Sequence, residues 1–168
     1  MEKQDLVAKY PKDISDSFRQ NKKLPDGFMI DEGFACAWDD KRYFIHARAV
    51  LPLKAFDEGV GFGLWVEVQK EDFMRYIHIG DDDKAYADFK VEGVLANEWP
   101  GFEHMKGVRV VVRAVRTNEK VYITEVLDAR DPLFEIAMRT SADDSEGMKK
   151  IEELVKAYAA DPHYNDPF

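Results

Sequence analysis

The chain has 168 residues, 45% of them hydrophobic and 34% charged, with a formal net charge of −9. That size and composition imply one globular domain able to bury its own core without a metal or disulfide. The negative balance opposes non-specific attraction to nucleic acid or anionic lipid, keeps the chain soluble, and permits binding to a basic protein partner. Cys36 is the single cysteine, so neither an intrachain disulfide nor a cysteine zinc site is available, and a reducing compartment is expected. Met1–Asp5 lacks a basic-then-apolar signal pattern, and no apolar run approaches the ~20 residues that cross a bilayer. The cytosol is the expected location, with no membrane contact.

In chain order, Leu6, Val7 and Tyr10 share a helical face that Pro11 ends. Ile14 and Phe18 suit a second short helix, and Leu24–Gly27 reads as a turn. Phe34–Trp38 alternates, Asp39–Lys41 turns, and Arg42–Val50 returns as a second strand that Pro52 stops. Phe62, Leu64, Val66 and Val68 mark a third strand. Glu71–Ile79 carries the stripe Phe73, Tyr76, Ile77 of a helix, with acidic residues suited to its start and Gly80 as its cap. Asp81–Asp83 opens a loop.

Phe89–Leu95 alternates again and stops at Trp99-Pro100-Gly101. Val108–Ala114 and Val121–Leu127 form the clearest hairpin, turning at Thr117–Glu119. Met148, Ile151, Leu154, Val155 and Tyr158 line one face of a last helix over Asp144–Ala159, leaving Lys149, Glu152 and Lys156 to water. The order predicts an α+β fold: a mainly antiparallel sheet of about five to six strands with helices packed on one face. An N-terminal helical arm over 1–27, one domain over 28–160 and a loose tail over 161–168 complete the expected organisation.

No familiar catalytic set emerges. An EF-hand register from Asp81 places Asp83 and Glu92 at ligand positions, but Ala85 and Tyr86 occupy the fifth and sixth, so these three residues are only weak metal candidates and no metal is expected. His46 shares a strand face with Phe44 and Arg48, where a structural histidine outweighs a general base. Cys36 alternates with Phe34 and Trp38 and points into the core, where a thiol is a poor nucleophile. Ser141 and Ser145 suit helix caps. Gly59, Gly61 and Gly63 alternate without a phosphate-facing helix, so no nucleotide or other cofactor is expected. Arg109 and Arg113 fall on one face that could meet a carboxylate or phosphate. Trp65 and Trp99 could line an apolar pocket. The binding candidates are therefore His46, Arg48, Trp65, Trp99, Arg109 and Arg113.

Four segments carry a family likeness: Tyr43–Pro52, Phe62–Val68 leading to Phe73, Gly93–Asn97 with Pro100-Gly101, and Asp131-Pro132-Leu133. Over about residues 28–158 the chain resembles a bacterial family catalogued as domain of unknown function 2199. The resemblance implies one domain and a bacterial origin. It implies no mechanism, because the family has no established activity. Members commonly carry a paired-cysteine segment near the N-terminus that looks like a metal knuckle; this chain lacks it, so no metal role transfers. The functional expectation is a non-enzymatic binding or regulatory protein, of inhibitor or immunity type, presenting an acidic surface to a basic partner. The alternatives are an enzyme of unrecognised type and a small-ligand module with a pocket on the sheet.

Overall fold

The two longest alternating runs of the sequence build the two longest strands. The computed structural model describes residues 6–31, 34–51, 60–79, 82–98, 105–114 and 121–127, with Lys149, Glu153 and Lys156. Its elements run β1 (Leu6–Val7), α1 (Lys12–Asn21), β2 (Phe28–Asp31), β3 (Ala35–Trp38), β4 (Arg42–Leu51) and β5 (Val60–Val68). They continue through α2 (Lys70–His78), α3 (Asp83–Ala87), β6 (Lys90–Leu95), β7 (Arg109–Arg113) and β8 (Val121–Val126). The fold is α+β.

β4 and β5 form an antiparallel spine paired continuously from Tyr43↔Val68 to Leu51↔Val60. Each spine strand divides its outer edge between two partners. On β4, Arg42–Ile45 pair with β3 and Ala47–Arg48 pair with β8. On β5, Phe62–Gly63 pair with β1 and Val66–Glu67 pair with β6. The run β4-β5-β6-β7-β8 thus returns to its own first strand and closes a five-stranded barrel. In an up-and-down run of five, the first and fifth strands point the same way. The closing pair β4–β8 is accordingly parallel, whereas hairpin neighbours are antiparallel. The β4 edge also carries the antiparallel wing β3–β2.

Successive residues on the spine face opposite sides. Ile45, Ala47, Leu64 and Val66 point into the barrel, where they meet Val91, Val110, Val112, Val121 and Ile123 as the main core. Phe44 and Trp65 point outward and form a second, smaller core with Cys36 and Ala96, packed over by Ala8 and Phe28.

An open sheet with helices on one face is therefore corrected to a mixed sheet that closes. The helices also do not share a face. α1 meets the spine through Asp13 and Arg42, 2.9 Å apart. α2 meets it through Phe73 and Tyr43, whose rings lie 5.1 Å apart. Arg42 and Tyr43 are neighbours on β4, so their partners lie on opposite sides.

Leu6–Val7 is strand rather than helix. Pro11 stands as the N-cap of α1, and a residue before proline is driven out of the helical region. β2 is a further strand beyond those expected. The aspartate loop shortens because the Asp82 side chain accepts from the Lys84 and Ala85 amides at 3.1 and 3.0 Å and starts α3. The Asp39-Asp40 turn is as expected, with both residues left-handed at φ 54° and 51°, the geometry of a type I′ hairpin. Tyr43 and Lys70 bind the Asp40 side chain and hold the turn. Lys149, Glu153 and Lys156 are helical and exposed, while Gly80, the Leu154 face and Ser141 lie outside the described residues.

Candidate functional site

His46 and Trp65 are direct cross-strand partners on the outer face of the spine. They sit at the level where both edges change partner. The His46 amide bonds the Phe34 carbonyl at 2.8 Å, and one residue later β4 pairs with β8. On β5 the Trp65 amide has no strand opposite it; it donates to Oδ1 of Asn97 at 2.8 Å. That side-chain amide stands in for a peptide group between the end of β1 and the end of β6.

The rings of His46 and Trp65 meet edge to face with centroids 4.8 Å apart. Room for the imidazole comes from the next position along β5. A side chain on Gly63 would lie 2.8 Å from Cε1 of His46 and 3.2 Å from Cγ1 of Val7. Above this face runs the N-terminal segment. Ala8 donates to the Gly63 carbonyl at 2.9 Å. Nε1 of Trp65 donates to the Ala8 carbonyl at 3.0 Å, and Nδ2 of Asn97 donates to the Tyr10 carbonyl at 2.9 Å. Tyr10 stands edge-on to Phe28, and the Lys12 amide reaches the Ala96 carbonyl at 2.8 Å.

A charged clasp closes the α1 end. Arg42 binds both Glu67 oxygens, at 3.0 and 2.8 Å, and also Asp13, while Lys106 reaches Asp13 at 2.6 Å. The guanidinium lies over the Phe44 ring. Burial alone would raise the Asp13 carboxyl, but the hydrogen bonds and charges of Lys106 and Arg42 outweigh it and hold it below its ordinary value. Hydrogen bonding to Glu67, chiefly, raises Arg42. The Cys36 thiol is driven up by burial in the same small core.

His46 and Trp65 are thus brought together, 2% and 1% exposed, and Arg48 follows His46 on the same side, opposite Gly63. Arg109 and Arg113 lie apart, exposed on β7, and Arg109 pairs with Glu92 at 3.2 Å. Asp83 opens α3, away from any ligand set; among the described residues no group of His, Cys, Asp and Glu could hold a metal ion. Trp99 and Asp81 lie outside the described residues. An open, polar pocket of 470 Å³ lies at the other end of the spine, lined by Lys41, Tyr43, Glu67, Lys70, Glu71 and Glu92 among others. Its Lys70, Glu67 and Glu92 are engaged by Asp40, Arg42 and Arg109.

Asn97, Gly63, Arg42 and Asp13 escaped the sequence reading. Gly63 within a strand pattern was the available signal, since an interior strand glycine marks close approach. Asp13 and Arg42 are 29 positions apart, and no spacing rule joins them.

Residues 2–138 match the model of a family described as uncharacterised proteins conserved in bacteria. The chain belongs to this family, DUF2199. The DUF2199 match takes in β1, α1 and the whole barrel, and so extends the resemblance from residue 28 back across the arm. It ends before the last helical stretch. No curated protein and no solved structure matches the chain. No helix among the described residues is long and apolar enough to cross a membrane.

Proposed function

We propose that this chain is a non-enzymatic binding or regulatory protein of the reducing cytosol that engages a basic protein partner, and that the β2 edge is where the partner's chain docks. The observation that carries the reading is the state of that edge. Among the described residues β2 has one strand neighbour, β3. Its two faces bear Met29 and Ile30, 73% and 41% exposed, with Phe34 at 44% beyond. The Asp39 amide bonds the Gly27 carbonyl, so by alternation Met29 and Asp31 also bond β3 and the Ile30 backbone points away. An edge of this kind accepts an extended segment as an added strand.

The charge supports a basic segment. Of the 33 acidic and 24 basic side chains, 16 and 17 fall among the described residues. The scaffold is nearly neutral, and the acidic excess belongs to the rest of the chain, including Asp128, Asp131, Glu135, Asp143, Asp144 and Glu146. Such an excess steers a cationic partner toward the chain.

A nonapeptide of alternating lysine and valine is the probe. It is expected to bind in calorimetry at low salt and to shift the Ile30 amide in NMR, and the binding is expected to be lost on Ile30→Pro. Equal binding of the glutamate–valine peptide, or no binding of either, would end the reading.

A further inference from the structure

The N-terminal segment is held unevenly. At its α1 end Ile14 is fully buried, and the clasp through Asp13 fixes the first turn of α1 to Arg42 and Lys106. At its other described end the segment pairs with β5 at Leu6↔Phe62 and Val7↔Gly63, and Val7 is 39% exposed. Pro11, buried and fixed in φ, separates the two regimes.

What lies beneath residues 6–10 is a preformed set of groups that read a chain extended at Leu6–Val7 and bent at Lys9 and Tyr10. The Gly63 carbonyl accepts from Ala8. The Trp65 indole and the Asn97 amide donate to two carbonyls, at Ala8 and Tyr10. Phe28 offers a ring face 5.7 Å from Tyr10. Gly63 cannot be filled without displacing His46 or Val7, so the backbone approach at this point depends on the missing side chain. Three of these contacts are to main chain and one to an aromatic side chain. The groove therefore specifies a segment with a small residue and an aromatic two positions later, bent at the aromatic end, the pattern of Ala8-Lys9-Tyr10.

We propose that the outer face of β5 between Gly63 and Asn97 is a peptide-binding groove, filled in cis by residues 6–10, which lift about Pro11 to admit a segment of the same pattern from another chain. This site shares the Phe28 ring with β2 but not the backbone edge at Ile30, and it stands or falls without that edge. The occupied groove is the closed state. Its affinity for an outside segment is reduced by the fraction of molecules in which the arm is down.

The test uses the full chain and a fluorescent octapeptide of the sequence of residues 4–11, followed by anisotropy. Ala8→Pro removes the arm's donor to Gly63, so this variant is expected to bind the peptide at least tenfold more tightly than the native chain. A peptide with proline at the position of Ala8, or with scrambled order, is expected not to bind. Equal affinity of native chain and variant, or binding of the scrambled peptide, overturns the proposal. Hydrogen exchange on the unaltered chain gives a second readout that does not depend on the variant folding. The Ala8 amide is expected to exchange at least a hundredfold faster than those of Ile45 and Val66 in the spine. Matching rates would mean the arm opens only with the whole barrel, and would overturn it as well.

Discussion

Replacing Asn97 by alanine removes both ends of the bridge between arm and spine. Asn97 is 5% exposed and accepts from the Trp65 amide while donating to the Tyr10 carbonyl. Without it the Trp65 N–H is left beneath the arm with no acceptor, at a cost of about 1–3 kcal/mol. Losing the bond to Tyr10 adds roughly 0.5–1.5 kcal/mol. The total, about 2–4 kcal/mol, is a large share of a stability of about 5–15 kcal/mol. With a urea slope of about 2 kcal/mol/M, the unfolding midpoint falls by about 1–2 M. The control is Asn21→Ala, because Asn21 is exposed at the end of α1 and its side chain, among the described residues, bonds Ser17 alone; it is expected to change stability by no more than about 0.5 kcal/mol. Asn97→Asp sharpens the test. Its carboxylate still accepts from Trp65 but faces the Tyr10 carbonyl with no donor, so the folded state favours the protonated acid. Its deficit should therefore grow as pH rises above the ordinary aspartate value of about 4. Midpoints for Asn97→Ala and Asn21→Ala within about 0.3 M of each other would refute the idea that this side chain replaces a peptide group in the sheet.

Cys36, buried with its thiol pKa raised, should react slowly with a thiol reagent at pH 8 until the chain is denatured; rapid stoichiometric labelling of the folded protein would contradict its place in the small core. Gly93→Ala should cost more than Gly63→Ala, roughly 3 kcal/mol or more against roughly 1–3 kcal/mol. The added carbon lies 2.6 Å from the Glu67 carbonyl in the first case and meets side chains in the second. Reversed denaturation midpoints would show that the close strand crossing is absent. Asp13 has a depressed carboxyl, so the stability it confers over Asp13→Asn is present above the ordinary value of about 4 and disappears as pH falls through the lower folded value. A stability difference independent of pH from 7 to 2.5 would remove the clasp as its source.

The elements that follow from local pattern were legible. Alternation located β3, β4, β5, β6, β7 and β8, and the 3.6-residue stripe located α2. Cys36 was placed in a core from Phe34 and Trp38 alone, and it is buried. What the sequence hid is the division of each spine edge between two partners, because pairing of Ala47 with Val121 or of Val7 with Gly63 joins positions far apart in the chain. Closure of the barrel follows from those pairings, and so does the burial of the His46–Trp65 face. β1 was read as helix because Leu6, Val7 and Tyr10 satisfy the helical spacing; two residues are too few for alternation to compete. The clasp was invisible for the same reason as the barrel.

The two binding surfaces differ in what they read, and ionic strength separates them. A basic strand at β2 is drawn by the acidic excess of the chain, an attraction limited by the screening length, which shrinks from about 30 Å at 0.01 M salt to about 3 Å at 1 M. Its association should slow as salt rises. The groove beneath residues 6–10 reads main-chain groups through Gly63, Trp65 and Asn97 and an aromatic through Phe28. None of these carries a net charge, so peptide binding there should be nearly constant across the same range. Salt should act on the groove only through the clasp. Screening the pairs of Asp13 with Arg42 and Lys106 loosens α1 and not the ladder of β1. Peptide affinity that collapsed with salt in parallel with the lysine–valine probe would mean that both peptides find one charged surface, and that the arm covers no site of its own.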